Sequence, residues 1–470
     1  MVKDIKIEKN ALINLLNRIV TMTLSLFTLI IVTKRIGSEN YGMITFCESI
    51  VAYFWLIASL GNGDFAIREC SPIRDDKKKV NDLINRLFSF NVITSLIAFG
   101  LFIVFILLIK LSKIEKIILL IFGIRMLFAA FDLSWAYKIF EDYQFIAINR
   151  IVFEVVLFVV SLIFIKSKED FMIFVVASTI VEIISYFIEF IGLKKYVKLC
   201  WTSNIRHKEF IKPILIIFAS MTMTALYNNI DITMLGFIRS NSEVGLYKVS
   251  SKIYLAVLEL INSICIVSLP RIAYYLQNDE KESYNILSNK IFQTILFLTI
   301  PAIFGILIVG NNAIPLIFGE EYIGSVIVLK IMCFSLFFAA MNNFLLNIIL
   351  ISYKKENEIF KITALGVVIN IVLNTIIIPN YGMKGAAATT LLSEIFVFIC
   401  SYVLCKSKLQ IKNFFKNLII VLIIGCIFII ICKIISLIEL SSVIELILQI
   451  VLSISSYLII INLCSKKNII

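Results

Sequence analysis

Residues 11–54 read ALINLLNRIVTMTLSLFTLIIVTKRIGSENYGMITFCESIVAYF. Two long apolar stretches flank a short polar turn, and each can supply the roughly 20 apolar residues that a bilayer-spanning helix needs. The first stretch nevertheless carries Asn14, Arg18, Thr21, Ser25 and Thr28, spaced four, three, four and three apart. Helical periodicity puts all five on one face. A polar stripe down an apolar helix fits a hydrated cavity, and it also fits contacts between packed helices.

The same alternation fills the rest of the chain. Of the 470 residues, 60% are hydrophobic and 16% charged, against roughly 45–50% and about 25% in soluble proteins. Mean hydropathy is +0.98. Six prolines and 17 glycines exclude a Pro/Gly-rich disordered or fibrous chain. These values predict an all-α polytopic membrane protein with fourteen spans. The spans are 11–33, 43–66, 84–109, 117–138, 149–165, 171–191, 213–238, 247–270, 291–311, 326–350, 359–378, 384–404, 414–432 and 443–464. Residues 1–10 lead into the first span with no small-residue cleavage site, so that span is read as retained.

Of the 44 Lys and Arg residues, 29 fall in or at the edge of alternate loops that share a side with both termini, 11 in or at the edge of the opposite loops, and four (Arg18, Arg125, Lys252 and Lys330) deeper within spans. The excess marks the cytoplasmic side, so both termini are expected there. A net charge of +12 then reflects orientation and contact with anionic membrane lipid rather than nucleic acid. His207, in a polar linker, is the single histidine, which excludes a histidine-based metal site and argues against a Ser-His-Asp triad. The ten cysteines are scattered without a C-x-x-C, against a disulfide framework or a zinc ribbon. No metal and no cofactor is expected. No exterior loop exceeds about fifteen residues, too little for an extracytoplasmic catalytic domain.

The polar linker KKYVKLCWTSNIRHKEFIK at 194–212 follows six spans and precedes eight. Aligning Gly42 on Gly245 also aligns Ile50 with Ile253. Six spans per half is an even number, which predicts two parallel repeats about an axis along the membrane normal, with a site between them near the midplane. The expected organisation is a six-helix bundle at 1–193, a basic cytoplasmic linker at 194–212, a second six-helix bundle at 213–404, and two additional helices with a short tail at 405–470.

Several fragments carry a family resemblance. KRIGSENYG (34–42), GNGDFAIREC (61–70) and IRDDKK (73–78) are followed in order by DLSWAYKIFEDYQFIAINR (132–150), NNIDITMLGF (228–237) and EVGLYKVSSKI (243–253). LPR (269–271), IFGEEYIGS (317–325) and NIVLNTIIIPNYGMKGAAAT (370–389) complete the series. Over about 10–400 the chain resembles Wzx-type polysaccharide or O-antigen flippases, the polysaccharide-transporter branch of the multidrug/oligosaccharidyl-lipid/polysaccharide (MOP) exporter superfamily. The resemblance implies no enzyme. It implies transfer of an undecaprenyl-pyrophosphate-linked oligosaccharide, an O-antigen or capsule unit, to the outer leaflet of the bacterial plasma (inner) membrane. Implied partners are that lipid-linked oligosaccharide, membrane lipids and the polysaccharide polymerase machinery, and the architecture implies a monomer. A lipid II flippase and a multidrug/cation antiporter are the alternatives within the superfamily. A membrane enzyme of polysaccharide assembly is the alternative outside it.

Moving a pyrophosphate through hydrocarbon asks for intramembrane cations, and moving sugars asks for hydrogen-bonding side chains. Charges in spans are costly and usually face the interior. Arg18 lies about 10 Å in from the cytoplasmic end at 1.5 Å per residue, and a guanidinium binds phosphate bidentately. Arg125 and Lys252 are the other candidate cations, with Asn14, Ser25 and Asn228 as polar ligands. The seventh span repeats the stripe of the first with Ser220, Thr224, Tyr227, Asn228 and Asp231, and the second span adds Glu48, Trp55, Ser59 and Asn62. Arg125 and Asp132 lie seven apart, as do Lys252 and Glu259, each pair on one face if the helix is continuous. Arg125 with Asp132 equally fits an internal salt bridge. Glu48, Asp132, Asp231 and Glu259 are the candidate ion-coupling carboxylates. Lys330 and Arg86 read as snorkelling side chains, and Asn370 with Asn374 as a bridge to a neighbouring helix.

Overall fold

The structure, a computed structural model, describes residues 2–202, 207–438 and 441–466. Regular structure among them is helical throughout. The first helix, α1 (Val2–Ser59), and the twelfth, α12 (Glu356–Cys405), have 58 and 50 residues. At 1.5 Å per residue a straight helix of either length would run about 75–87 Å, far beyond the roughly 30 Å hydrocarbon layer. Each is broken by one glycine, Gly37 (φ 78°, ψ 171°) and Gly382 (φ 55°, ψ −135°). A residue with a Cβ meets a steric penalty at such φ values. The polar turns expected at 34–42 and before 384 are therefore single-residue kinks in otherwise continuous helix.

Between these two come α2 (Asn62–Cys70), α3 (Lys77–Leu108), α4 (Lys113–Leu127), α5 (Ser134–Ile139), α6 (Tyr143–Phe164) and α7 (Phe171–Leu193). They are followed by α8 (His207–Ile238), α9 (Asn241–Gln277), α10 (Lys281–Phe318) and α11 (Ser325–Phe344). The chain ends with α13 (Phe414–Ser436) and α14 (Ser442–Lys466). Starts carry local signals: Asp76 accepts from Lys79 N (3.1 Å) ahead of α3, and Ser112 with Glu115 closes a capping box on α4. The fourth expected span, 117–138, is a correction: α4 stops at Leu127, a 3₁₀ turn covers Ala129–Phe131, and α5 continues after a 44° bend. Among the described residues, eleven helices are long and apolar enough to cross a membrane, or twelve with the bent pair taken as one. Each of the two kinked helices counts once in that number, against the fourteen spans expected.

By packing, the chain divides into two compact units, Met1–Gly236 and Phe237–Ile470. Most of α8, set at the head of the second half in the sequence reading, thus belongs to the first unit: Thr233 Oγ1 donates to Ser49 Oγ (2.9 Å). One core of the first unit gathers Phe65, Ile84, Leu87, Leu133, Trp135, Tyr137 and Leu193 around α2, α3 and α5. The second unit packs Ile272, Tyr284, Ile291, Phe344, Ile362 and Val397 around a π-helical turn at Leu345–Leu350 that continues α11.

Both units are inverted relative to a soluble protein. Leu108 is 79% exposed and Phe415 76%, while Ser161, Thr299 and Asn374 are wholly buried. Such a surface belongs in lipid, with polar side chains turned to the interior. This is a polytopic helical membrane protein.

Candidate functional site

The break after α4 organises the polar interior of the first unit. A helix end leaves backbone N–H groups without intrahelical partners, and in apolar surroundings each unmet group is costly. Glu189 of α7 accepts the Leu133 N–H at 3.0 Å, and Asp132 accepts the Ser134 hydroxyl (2.9 Å) and N–H (3.4 Å). Asn149 of α6 donates to Glu189 at 3.1 Å, and the Tyr137 hydroxyl donates to the Glu189 backbone oxygen at 2.6 Å.

One turn before the break, the Arg125 guanidinium pairs with Glu182 and lies 4.5 Å from the Phe122 ring centroid. Glu182 also accepts the Tyr186 hydroxyl at 2.6 Å, and Tyr186 stacks on Trp55 with centroids 5.8 Å apart. Arg125 and Asp132 do not share a helix and do not pair, because the helix that would have aligned them stops between them. In place of the internal salt bridge that the spacing also allowed, Arg125 makes a bridge from α4 to α7. Glu182 and Glu189 were not among the candidates. Their spacing of seven on one apolar helix was the signal, the same spacing that singled out Arg125 with Asp132.

The remaining candidates are dispersed. Asn14 and Arg18 lie outside the residues whose side chains are described. Ser25 is half-buried and Thr28 buried, and Thr21 and Thr28 donate to the carbonyls of Asn17 (2.8 Å) and Leu24 (3.0 Å) one turn back. In α8 Asn228 is exposed and Asp231 buried, while Ser220 and Thr224 also bond their own helix. Hydroxyls bonded one turn back on their own helix keep lone pairs to accept from another group. In α9 both Lys252 and Glu259 are half-buried, and among the described residues no hydrogen bond or ion pair engages Lys252. Lys330 reaches Asn311 Oδ1 (2.8 Å) and Arg86 pairs with Asp82 (2.7 Å), each a local contact near a helix end. Asn374 donates to Asn370 (3.0 Å) and accepts from the Thr389 hydroxyl, which ties the two legs of α12 together across its kink. No cluster of three or more His, Cys, Asp or Glu suited to a metal occurs among the described residues.

The architecture and its buried charges define a polytopic helical membrane protein with a charged interior. Residues 7–276, more than half of the chain, match the family described as "Polysaccharide biosynthesis protein", and the chain belongs to that family. It is 25% identical over 385 residues to the capsular polysaccharide biosynthesis protein CapF of Staphylococcus aureus, covering 80% of this chain and 93% of CapF. Over 168 residues it is 26% identical to the probable low-salt glycan biosynthesis flippase Agl15 of Haloferax volcanii, 36% of this chain and 35% of that one. In fold it superposes on the lipid II flippase MurJ in an inward closed conformation with a TM-score of 0.78 at 19% identity, covering 98% of this chain and 99% of that one. These likenesses bear out the resemblance to Wzx-type polysaccharide flippases of the MOP exporter superfamily read from the sequence.

Proposed function

We propose that the protein is a flippase that carries a lipid-linked oligosaccharide, its pyrophosphate joined to undecaprenol, from the inner to the outer leaflet of the bacterial inner membrane by alternating access. The observation that carries this reading is the joint one of a polysaccharide-biosynthesis family match over 7–276 and a flippase-like fold over nearly the whole chain. It is a transporter and not an enzyme of glycan assembly. The two kinked helices are two spans each, which with the bent α4–α5 pair as one span restores fourteen. Both termini face the cytoplasm. The two halves act as repeats, with α13 and α14 appended.

The pyrophosphate is met by intramembrane cations. Arg18 enters first, from the cytoplasmic end, and Lys252 is available because no described side chain neutralises it. Arg125 joins only if the substrate displaces Glu182. Asn14, Ser25 and Asn228 serve the sugar hydroxyls. Glu48, Asp132, Asp231 and Glu259 are the carboxylates through which an ion gradient would act, and Glu182 and Glu189 now join them.

Expression in cells that retain their glycosyltransferases but lack their own flippase tests the proposal. Surface display of the glycan supports it. Failure with a panel of glycans, together with lowered accumulation of cationic dyes, replaces it with a drug exporter.

A further inference from the structure

The two units share a construction and differ in how its polar rungs are used. In the first, the extended segment after α7 runs along α3, and polar side chains four residues apart hold its backbone. Asn81 accepts from Lys198 N (2.9 Å), Asn85 accepts from Cys200 N (3.0 Å) while donating to Lys198 O (3.1 Å), and Ser89 accepts from Thr202 N (3.0 Å). In the second, the segment after α12 runs along α10: Asn289 accepts from Lys412 N (3.0 Å) and Gln293 donates to Lys412 O (3.3 Å). Asn285 precedes Asn289 by four residues, as Asn81 precedes Asn85. Its rung is not taken by the chain, because residues Lys406–Lys408 form a 3₁₀ turn first. A cavity of about 390 Å³ opens there, lined by Asn285 with Lys281, Tyr284, Ser407, Lys408 and Gln410.

The lining has a definite chemistry. Lys408 Nζ donates to Leu404 O at 2.9 Å and lies 5.3 Å from the Tyr353 ring centroid, so its ammonium is held in place. Leu404 uses one of its three donors. Lys281 shares the cavity with Asp279, its partner at 3.5 Å, which leaves the charge of Lys408 uncompensated within the lining. The amides of Asn285 and Gln410 and the Ser407 hydroxyl offer further donors. Along the chain flanking the lining, exposed Glu280 and Glu282 alternate with large exposed apolar side chains. Ile286, next in the chain after Asn285, is 63% exposed, and Phe415, just past the held segment, is 76% exposed. A cavity with one uncompensated cation and several amide donors, flanked in the chain by exposed apolar side chains, matches a phosphate with acyl chains attached.

We propose that this cavity binds the headgroup of an anionic glycerophospholipid, with the phosphate on Lys408 and the headgroup hydroxyls on Asn285 and Gln410. The site is separate from the transported glycan and does not depend on the proposed function.

Native mass spectrometry of the full chain in detergent, with equal amounts of phosphatidylglycerol and phosphatidylcholine of the same acyl chains, tests it. Phosphatidylglycerol adducts are expected to dominate and to persist in excess inorganic phosphate. Lys408→Gln should lower them about fivefold, the scale of one lysine near anionic lipid. Asn285→Leu should lower them less, and Lys433→Gln, a lysine at another helix end, should leave them unchanged. Equal binding of the two lipids overturns the proposal, as does an unchanged Lys408→Gln whose melting temperature shows it folded. Displacement by inorganic phosphate overturns the lipid as occupant and leaves a soluble anion site.

Discussion

The guanidinium of Arg125 on α4 is held by the carboxylate of Glu182 on α7, and the side chains are only 13% and 26% exposed. Removing one partner of a buried pair leaves the other charge uncompensated. Arg125→Ala and Glu182→Ala should each destabilise the detergent-solubilised protein by about 3 kcal/mol. The double variant should cost less than the sum, since the stranded charge is then gone. Thermal unfolding of the four proteins measures this. Additive losses would show that the two side chains act separately.

Arg125→Lys separates packing from chemistry. Lysine keeps the charge and loses the planar fork over the Phe122 ring. If Arg125 meets the pyrophosphate in the transport cycle, Arg125→Lys lowers transport more than it lowers the melting temperature. A parallel fall in both restricts Arg125 to holding α4 against α7.

Gly382 combines a left-handed φ of 55° with a close neighbour: a Cβ there would lie 2.0 Å from Glu243 Oε2. That same carboxylate oxygen accepts the Met383 N–H at 2.8 Å, and Glu243 pairs with Arg239 at 2.9 Å. Gly382→Ala should therefore sharply reduce folded protein in the membrane, through strain and a displaced carboxylate together. Gly100→Ala is the control, since nothing lies within 4 Å of its Cβ position. Within helix α3 it should be neutral or stabilise by up to about 1 kcal/mol.

Asn85 grips the segment after α7 at two backbone atoms, Lys198 O and Cys200 N. Asn85→Ala should cost about 2 kcal/mol for two hydrogen bonds, and Asn81→Ala about 1 kcal/mol for its single one. Limited proteolysis near residues 197–202 should accelerate in that order. Equal rates would mean that the segment is held by its apolar contacts instead.

Asp76, ahead of α3 and outside the spans, supplies a pH dependence. The Lys79 N–H, followed by the Lys79 ammonium at 3.0 Å, holds its carboxylate below the ordinary aspartate value. A depressed folded-state value contributes stability that is present above the unfolded value, near 3.9, and is lost as pH falls through the folded one. Amide exchange in the first turn of α3 should rise relative to the helix centre over that acidic range. In Asp76→Asn this local rise should be absent.

Much of the fold was legible because lipid imposes one simple requirement. Most runs of about 20 apolar residues became helix, and the expected boundaries of 171–191 and 414–432 fall within a few residues of α7 and α13. The places that escaped are those where tertiary contact overrides the apolar pattern. Residues 128–133 are as apolar as their flanks, and what stabilises the break is distant: Glu189 on the Leu133 N–H. A spacing of seven put Arg125 and Asp132 on one face only while the helix was assumed continuous. Asn81, Asn85 and Ser89, four apart, did carry a readable signal. Its counterpart at Asn285, Asn289 and Gln293 repeats after 204 residues, close to the 203 that separate Gly42 from Gly245.

The most direct test of the central claim is flipping by the purified protein. The chain is reconstituted in vesicles with an undecaprenyl-pyrophosphate-linked oligosaccharide confined to one leaflet, and a membrane-impermeant glycosidase reports what reaches the other. The account predicts that vesicles containing the protein expose the glycan much faster than protein-free vesicles, and that correctly inserted Arg18→Ala is slower than the unmodified chain. A rate equal to that of protein-free vesicles, with folded protein present and several glycans tried, would contradict it.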